Sequence, residues 1–328
     1  MDSLLAHPAE PLAQPLPVHD IDSISTAEFV VPGESISRRR VLKTMLFGAA
    51  GMALYAGEIE RHWIDVVHRD IRIPGLPRAF DGMTIAQLSD IHLDEYTEPF
   101  LLRDAVRQIN ALQPDMVLLT GDYVSAEVLS KKMTIDAAWQ CARLLKDIAC
   151  PRKFAILGNH DVLAGANEIT EAIASNGIPV LRNGFLPIER GGSRIWLAGI
   201  DDPVLGRPNP DLAMPVAIRN NAGEPIILMC HAPDFVDTLS QHPAGRSIAL
   251  VLSGHTHGGQ VRIPFLGAMR LPPGGRKYVE GLFQVGGVQL YVNRGIGAVG
   301  VPFRFNCRPE ITRLRLRAAK PHAPYMQS

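Results

Sequence analysis

Met83-Thr84-Ile85-Ala86-Gln87-Leu88-Ser89-Asp90-Ile91-His92 is a short apolar run that stops at a carboxylate and an imidazole two positions apart. Runs of this length, rich in Ile and Leu and bounded by polar residues, form buried strands. Side chains two apart in an extended or turning chain point to one side, so Asp90 and His92 can share a target. Residues 98–112 follow with Phe100, Leu101, Ala105, Ile109 and Leu112 at helical spacing, and Gln113-Pro114 ends the helix. A second apolar run over 116–120 then stops at Gly121-Asp122. Strand, helix and strand from Asp90 to Asp122 make a βαβ unit of about 30 residues. Its right-handed crossover puts both carboxylates on one rim of the sheet, where open α/β sheets keep their ligands.

The same rhythm recurs downstream. After a helix through Trp139, Leu144 and Ile148, a strand at 154–157 ends in Gly158-Asn159-His160-Asp161. A buried strand at 225–229 delivers Cys230-His231-Ala232-Pro233, and one at 248–252 delivers Ser253-Gly254-His255-Thr256-His257-Gly258-Gly259-Gln260. One Asx residue at a strand end is an ordinary turn former, and one His-x-His turn is weak evidence of metal. Their repetition at successive strand ends is what carries weight. Further strands are expected at 63–73, 178–181, 186–190, 195–200, 288–293 and 310–316, with helices at 168–174 and 234–239.

Composition sets the bounds. The 328 residues are 46% hydrophobic and 20% charged, which suits a globular chain of one or two domains. Formal net charge is +0, without the basic excess of a nucleic-acid binder, so no nucleic acid is expected as partner. Cys141, Cys150, Cys230 and Cys307 show no C-x-x-C spacing and read as small buried hydrophobes. Residues 1–36 are acidic, rich in Pro and without Lys or Arg, which predicts a disordered tail. Ser37-Arg38-Arg39-Arg40-Val41-Leu42-Lys43 and the apolar small-residue run after it resemble a twin-arginine export signal spanning 37–57. Leu54 occupies a position where a cleavage site prefers a small residue, so the segment can stay on as a membrane anchor. The expected partners are therefore the twin-arginine machinery and the inner-membrane surface. The domain would face the periplasm if exported, or the cytoplasm if the segment only anchors it. It is expected over 58–318, with a flexible tail at 319–328.

The order Asp90-Ile91-His92, Gly121-Asp122, Gly158-Asn159-His160-Asp161, His231, Gly254-His255-Thr256-His257 resembles the calcineurin-like metallophosphoesterases, in particular their bacterial membrane-associated branch. Gly258-Gly259-Gln260, Asn293-Arg294-Gly295 and Pro302-Phe303-Arg304-Phe305 extend the likeness. It implies a four-layer αββα sandwich of the α/β class, α+β in some schemes. It also implies two divalent ions, the first on Asp90, His92 and His257, the second on Asn159, His231 and His255, with Asp122 bridging both. Mixed imidazole and oxygen donors suit Mn, Fe or Zn, with Mn favoured, better than Ca, which takes oxygen. In that family the two ions activate water for in-line attack on phosphorus. His160 would protonate the leaving group, with Asp161 or another carboxylate orienting the imidazole. Arg262 and Arg294 are the candidate substrate-binding cations. The apolar stretches 263–266 and 269–273 are expected to meet an acyl chain or the membrane surface. The function expected is hydrolysis of a phosphodiester or pyrophosphate bond, in a lipid-linked substrate such as UDP-2,3-diacylglucosamine of lipid A synthesis. The alternatives are a broad-specificity phosphoesterase on nucleotides or small diesters, and a non-catalytic metal-binding scaffold.

Overall fold

The computed structural model of the protein describes residues 37–93, 96–126, 129–221 and 223–319. The acidic segment 1–36 and all but the first residue of the expected tail 319–328 lie outside the described residues. In chain order the strands are β1 (Asp65–Pro74), β2 (Thr84–Leu88), β3 (Met116–Leu119), β4 (Lys153–Ala155), β5 (Gly184–Arg190), β6 (Ser193–Gly199), β7 (Ile226–Met229), β8 (Ile248–Ser253), β9 (Arg262–Ile263), β10 (Gly267–Ala268), β11 (Gly281–Val285), β12 (Val288–Val292) and β13 (Glu310–Ala319). The long helices are α1 (Arg38–Leu54), α2 (Pro99–Leu112), α3 (Lys131–Lys146) and α4 (Asn159–Ala174).

Two sheets result, ordered β1-β13-β2-β3-β4 and β11-β12-β8-β7-β6-β5, with β9 and β10 forming a separate hairpin. The central pairs β2/β3, β3/β4, β6/β7 and β7/β8 are parallel. Parallel strands are covered on both faces, which is why β2, β3, β7 and β8 are nearly unbroken apolar runs. Alternation then sorts each strand between two cores. Ala86, Leu88, Val117 and Leu119 pack under α2, α3 and α4, with Leu102, Ala105, Ala142 and Ile173. Ile85, Met116 and Leu118 face the second sheet, where Ile227, Met229, Leu250 and Leu252 meet them. The outer face of that sheet, with Ile226, Leu228, Val251 and Leu290, packs with Ala213, Ile218, Val236 and Leu239 of the short helices Pro210–Ala213, Val216–Arg219 and Val236–Gln241. Helix, sheet, sheet and helix are thus stacked in four layers, the architecture expected.

Two local expectations are corrected. The helix expected from residue 168 begins nine residues earlier, at Asn159, inside the Gly-Asn-His-Asp motif. Gly165, at φ 143 and ψ 88, breaks its geometry in the middle, which masks the helical period in the sequence. Residues 178–181 form no strand, only a single parallel bridge from Val180 to Ala155, since Pro179 has no N–H to extend a ladder. By internal packing the chain divides into Met1–Phe47 and Gly48–Ser328, and the second unit holds both sheets. α1 buries none of its residues. Among the described residues no helix is long and apolar enough to cross a membrane.

Candidate metal centre

Three of the strands that feed the site, β2, β3 and β8, end in sharp turns. Asp90 (φ 50), His92 (φ 48), Asp122 (φ 57), His255 (φ 72) and His257 (φ 52) all adopt the left-handed backbone region. Non-glycine residues are uncommon there, and their concentration is typical of sites where tertiary structure overrides local preference. The turns aim the side chains inward instead of along the sheets. Glycine makes the approach possible at Gly158, where a Cβ would clash with the Asp122 carboxylate and lie 2.7 Å from His231 Nε2. A Cβ on Gly254 would collide with the Asp90 carboxylate and the Ser89 hydroxyl.

Two buried triads come together: Asp90, His92 and His257, and Asp122, His231 and His255, the donor atoms of each within 4.8 Å of one another. In the first, His257 Nε2 lies 3.2 Å from His92 Nε2 and 3.5 Å from Asp90 Oδ1. In the second, His231 Nε2 lies 3.1 Å from Asp122 Oδ2. That same Oδ2 is 3.7 Å from His92 Nε2, so Asp122 faces both groups. Asn159 Oδ1 is buried and makes no hydrogen bond among the described residues, while His231 Nε2 faces the Asp122 carboxylate. Buried polar atoms are rarely left without partners, and an orphaned amide oxygen beside imidazoles and carboxylates forms a donor set that a first-row divalent cation fits.

The outward-facing nitrogen of every ligand histidine is held. His92 Nδ1 is 2.8 Å from Ser125 Oγ, and His231 Nδ1–H donates to the Thr120 carbonyl at 2.7 Å. His255 Nε2–H donates to the Pro273 carbonyl at 2.8 Å, and His257 Nδ1–H to that of Gly297 at 3.3 Å. In His255 and His257 the nitrogen fixed as a donor leaves the other with its lone pair toward the centre, the role of outer partners in metal sites, and His231 reaches that form once the proton facing Asp122 is displaced. Arg304 supports this arrangement from behind. Wholly buried, it donates to the carbonyls of Gly295, Gly297 and Cys307 at 3.1, 2.6 and 3.2 Å, bracing the loop that holds His257.

Protonation follows from burial and neighbours. Burial pushes His92 down to about 3 and His255 to about 4, and holds His257 well below the imidazole range, so all three are neutral at pH 7. Burial alone would raise Asp122, but His231, His160 and His92 keep it well below the carboxylate range. His231 is driven well above the imidazole range because the Asp122 carboxylate outweighs the effect of its burial. Burial lifts Asp90 to about 6.

His160 stands beside the first triad, its ring 4.9 Å from that of His92 and edge-on to it. Its backbone N–H donates to Asp122 Oδ1 at 2.9 Å, and its Nδ1 accepts from the Ala126 N–H at 3.2 Å. The accepted bond makes Nε2 the protonated nitrogen of the neutral ring. Asp161, expected to orient His160, does something else. Its two oxygens accept the backbone N–H groups of Asp122, Tyr123 and Gly158 at 2.8, 2.9 and 2.9 Å, which ties the loop after β3 to the start of α4. Arg262 pairs with Glu280, and Arg294 with Glu310 at 2.6 Å and Asp65 at 3.0 Å, so the charges of both are balanced by carboxylates. The sequence reading missed Ser125, Ala126 and the Thr120, Pro273 and Gly297 carbonyls. Nor does the sequence assign a role to Arg304 within Pro302-Phe303-Arg304-Phe305.

Fold and site together define a metal-dependent phosphoester hydrolase, an enzyme with two candidate metal-binding triads. The signature described as calcineurin-like phosphoesterase matches residues 83–259, and the chain belongs to that family. It is 34% identical over 295 residues to the metallophosphoesterase YkuE of Bacillus subtilis (strain 168), covering 87% of this chain and 99% of the relative. It is 31% identical over 289 residues to the phosphodiesterase YaeI of Escherichia coli (strain K12), covering 86% and 99%. Among solved structures, that of the calcineurin-like phosphoesterase YfkN from Bacillus subtilis aligns with TM-score 0.46 and 14% identity, over 66% of this chain and 82% of that one.

Proposed function

We propose that this enzyme hydrolyses a phosphodiester or pyrophosphate bond of a lipid-linked substrate, with UDP-2,3-diacylglucosamine of lipid A synthesis as the specific candidate. The observation that carries the phosphoester chemistry is the pair of buried triads facing one carboxylate, Asp122, with the His160 ring beside them. In this reading Asp90, His92 and His257 hold one divalent ion, Asn159, His231 and His255 another, and Asp122 both, with Mn preferred to Fe or Zn. The ions would lower the pKa of water and offset charge on the phosphoryl oxygens. The protein does the rest. The pinned outer nitrogens keep the four ligand rings in register, and His160 acts as an imidazolium: a proton taken up at Nδ1 in place of the Ala126 N–H bond lets Nε2 give its own to the departing oxygen, leaving the neutral ring. Arg262 and Arg294, balanced by carboxylates, act as supports of the surrounding loops unless a substrate phosphate displaces those partners.

The lipid reading is supported by the exposed apolar hairpin that leaves the metal turn, with Phe265 108% and Leu266 80% exposed. We infer further that 37–57 directs the protein through the twin-arginine machinery to the inner membrane, facing the periplasm. Retention of that segment as an anchor would keep the domain on the cytoplasmic face, where UDP-2,3-diacylglucosamine is expected. The test is hydrolysis by Mn-loaded full-length protein of bis-aryl phosphate and of UDP-2,3-diacylglucosamine in mixed micelles. Both should be cleaved, the lipid with the higher kcat/KM, and Asp122→Ala should lose bound metal and both activities. Cleavage of nucleotides and small diesters with no action on the lipid would establish the broad-specificity reading in its place.

A further inference from the structure

The chain between the metal turn and β11 carries exposed apolar groups and free cations together. β9 and β10 pair antiparallel around Pro264-Phe265-Leu266. Phe265, Leu266 and Met269 are 108%, 80% and 69% exposed. Phe265 also sits at φ 67, an unusual backbone state for a bulky side chain. From 261 to 279 there is no Asp or Glu, while Arg262, Arg270, Arg276 and Lys277 all occur. Arg262 is paired with Glu280 and Lys277 with Asp237, but the exposed Arg270 and Arg276 form no ion pair among the described residues.

The segment is fastened to the metal centre. The Pro273 carbonyl holds His255 Nε2, the Met269 N–H donates to the Val261 carbonyl at 3.1 Å, and the Arg262 N–H to that of Phe305 at 2.9 Å. An exposed apolar tip on a firmly tied base, with two unpaired arginines in the chain that follows it, matches the layered chemistry of an anionic bilayer. Acyl chains take the apolar groups and headgroup phosphates take the guanidinium groups.

We infer that the β9–β10 hairpin, with Arg270 and Arg276, docks the enzyme on an anionic phospholipid surface, with Phe265 and Leu266 entering the acyl layer. The inference rests on the lipid-linked reading of the site and adds how the site reaches its substrate.

The test uses the full-length protein carrying F265W and vesicles of brominated phosphatidylglycerol or brominated phosphatidylcholine. Bromine quenches a tryptophan only at the depth of the acyl chains, so the signal reports the hairpin itself and not α1. Phosphatidylglycerol vesicles should quench F265W beyond wild type, whose three tryptophans provide the baseline. Removal of both charges in F265W/R270Q/R276Q should lower the vesicle partition constant read from this quenching roughly 25-fold, about fivefold for each cation. Hydrolysis of bis-aryl phosphate should be unchanged in all these variants. No quenching beyond wild type on anionic vesicles would overturn the inference, as would equal quenching on phosphatidylcholine or self-association through the hairpin without vesicles. Quenching needs no turnover, so failure of the hydrolytic reading and failure of docking are told apart.

Discussion

His231 differs from the other three ligand histidines in the charge it carries before a metal arrives. His92, His255 and His257 are neutral at pH 7, whereas the Asp122 carboxylate 3.1 Å away keeps His231 protonated. In metal-free protein this raised value stabilises the fold fully below the unfolded imidazole pKa, and the contribution fades as pH rises through the folded one. A cation competes with that proton, so affinity should increase with pH across the neutral range and level off above the folded pKa of His231. Loading at pH 7 should release about one proton per chain. Calorimetric titration with Mn in buffers of different ionisation enthalpy would read it directly. Heats independent of the buffer would show that His231 is already neutral and that the Asp122 contact has been misjudged.

Gly165 shows how one position can hide an element. α4 carries Asn159 and His160 in its first turn, and Asp161 fixes that turn by accepting three backbone N–H groups. The polar opening and the break at Gly165 left only the later part recognisable as a helix, whereas β2, β3, β7 and β8 announced themselves through largely apolar runs. At φ 143 and ψ 88 only glycine is unstrained, and the nearest neighbour of an added Cβ would be the mobile end of Glu168. Gly165→Ala should therefore cost about 1–3 kcal/mol through the backbone rather than through a clash. Urea denaturation measures this as a lowered midpoint at constant slope. An unchanged midpoint would mean that the helix is continuous in solution.

Across the whole molecule, the site is built where two sheets present their carboxyl ends to each other. The first supplies Asp90, His92, Asp122 and, beyond β4, Asn159 and His160; the second supplies His231, His255 and His257. The core between them, from Ile85 and Leu118 to Met229 and Leu252, sets their separation. The inward-facing ligands were legible because each needs a particular side chain at a strand end. Their outer partners were not, since a carbonyl such as that of Thr120, Pro273 or Gly297 exists at every residue and becomes an acceptor only through folding. The same limit applied to Arg294, whose partners Glu310 and Asp65 are remote in sequence. The central claim is that the buried ligands hold the ions while His160 supplies the proton. Its most direct test is the dependence of kcat on leaving-group pKa for wild type and His160→Ala, at equal metal content. The variant should match wild type on an activated aryl leaving group and fall behind by about 10²–10⁴-fold on a poor alkyl one. Equal rates on the poor leaving group would contradict the account.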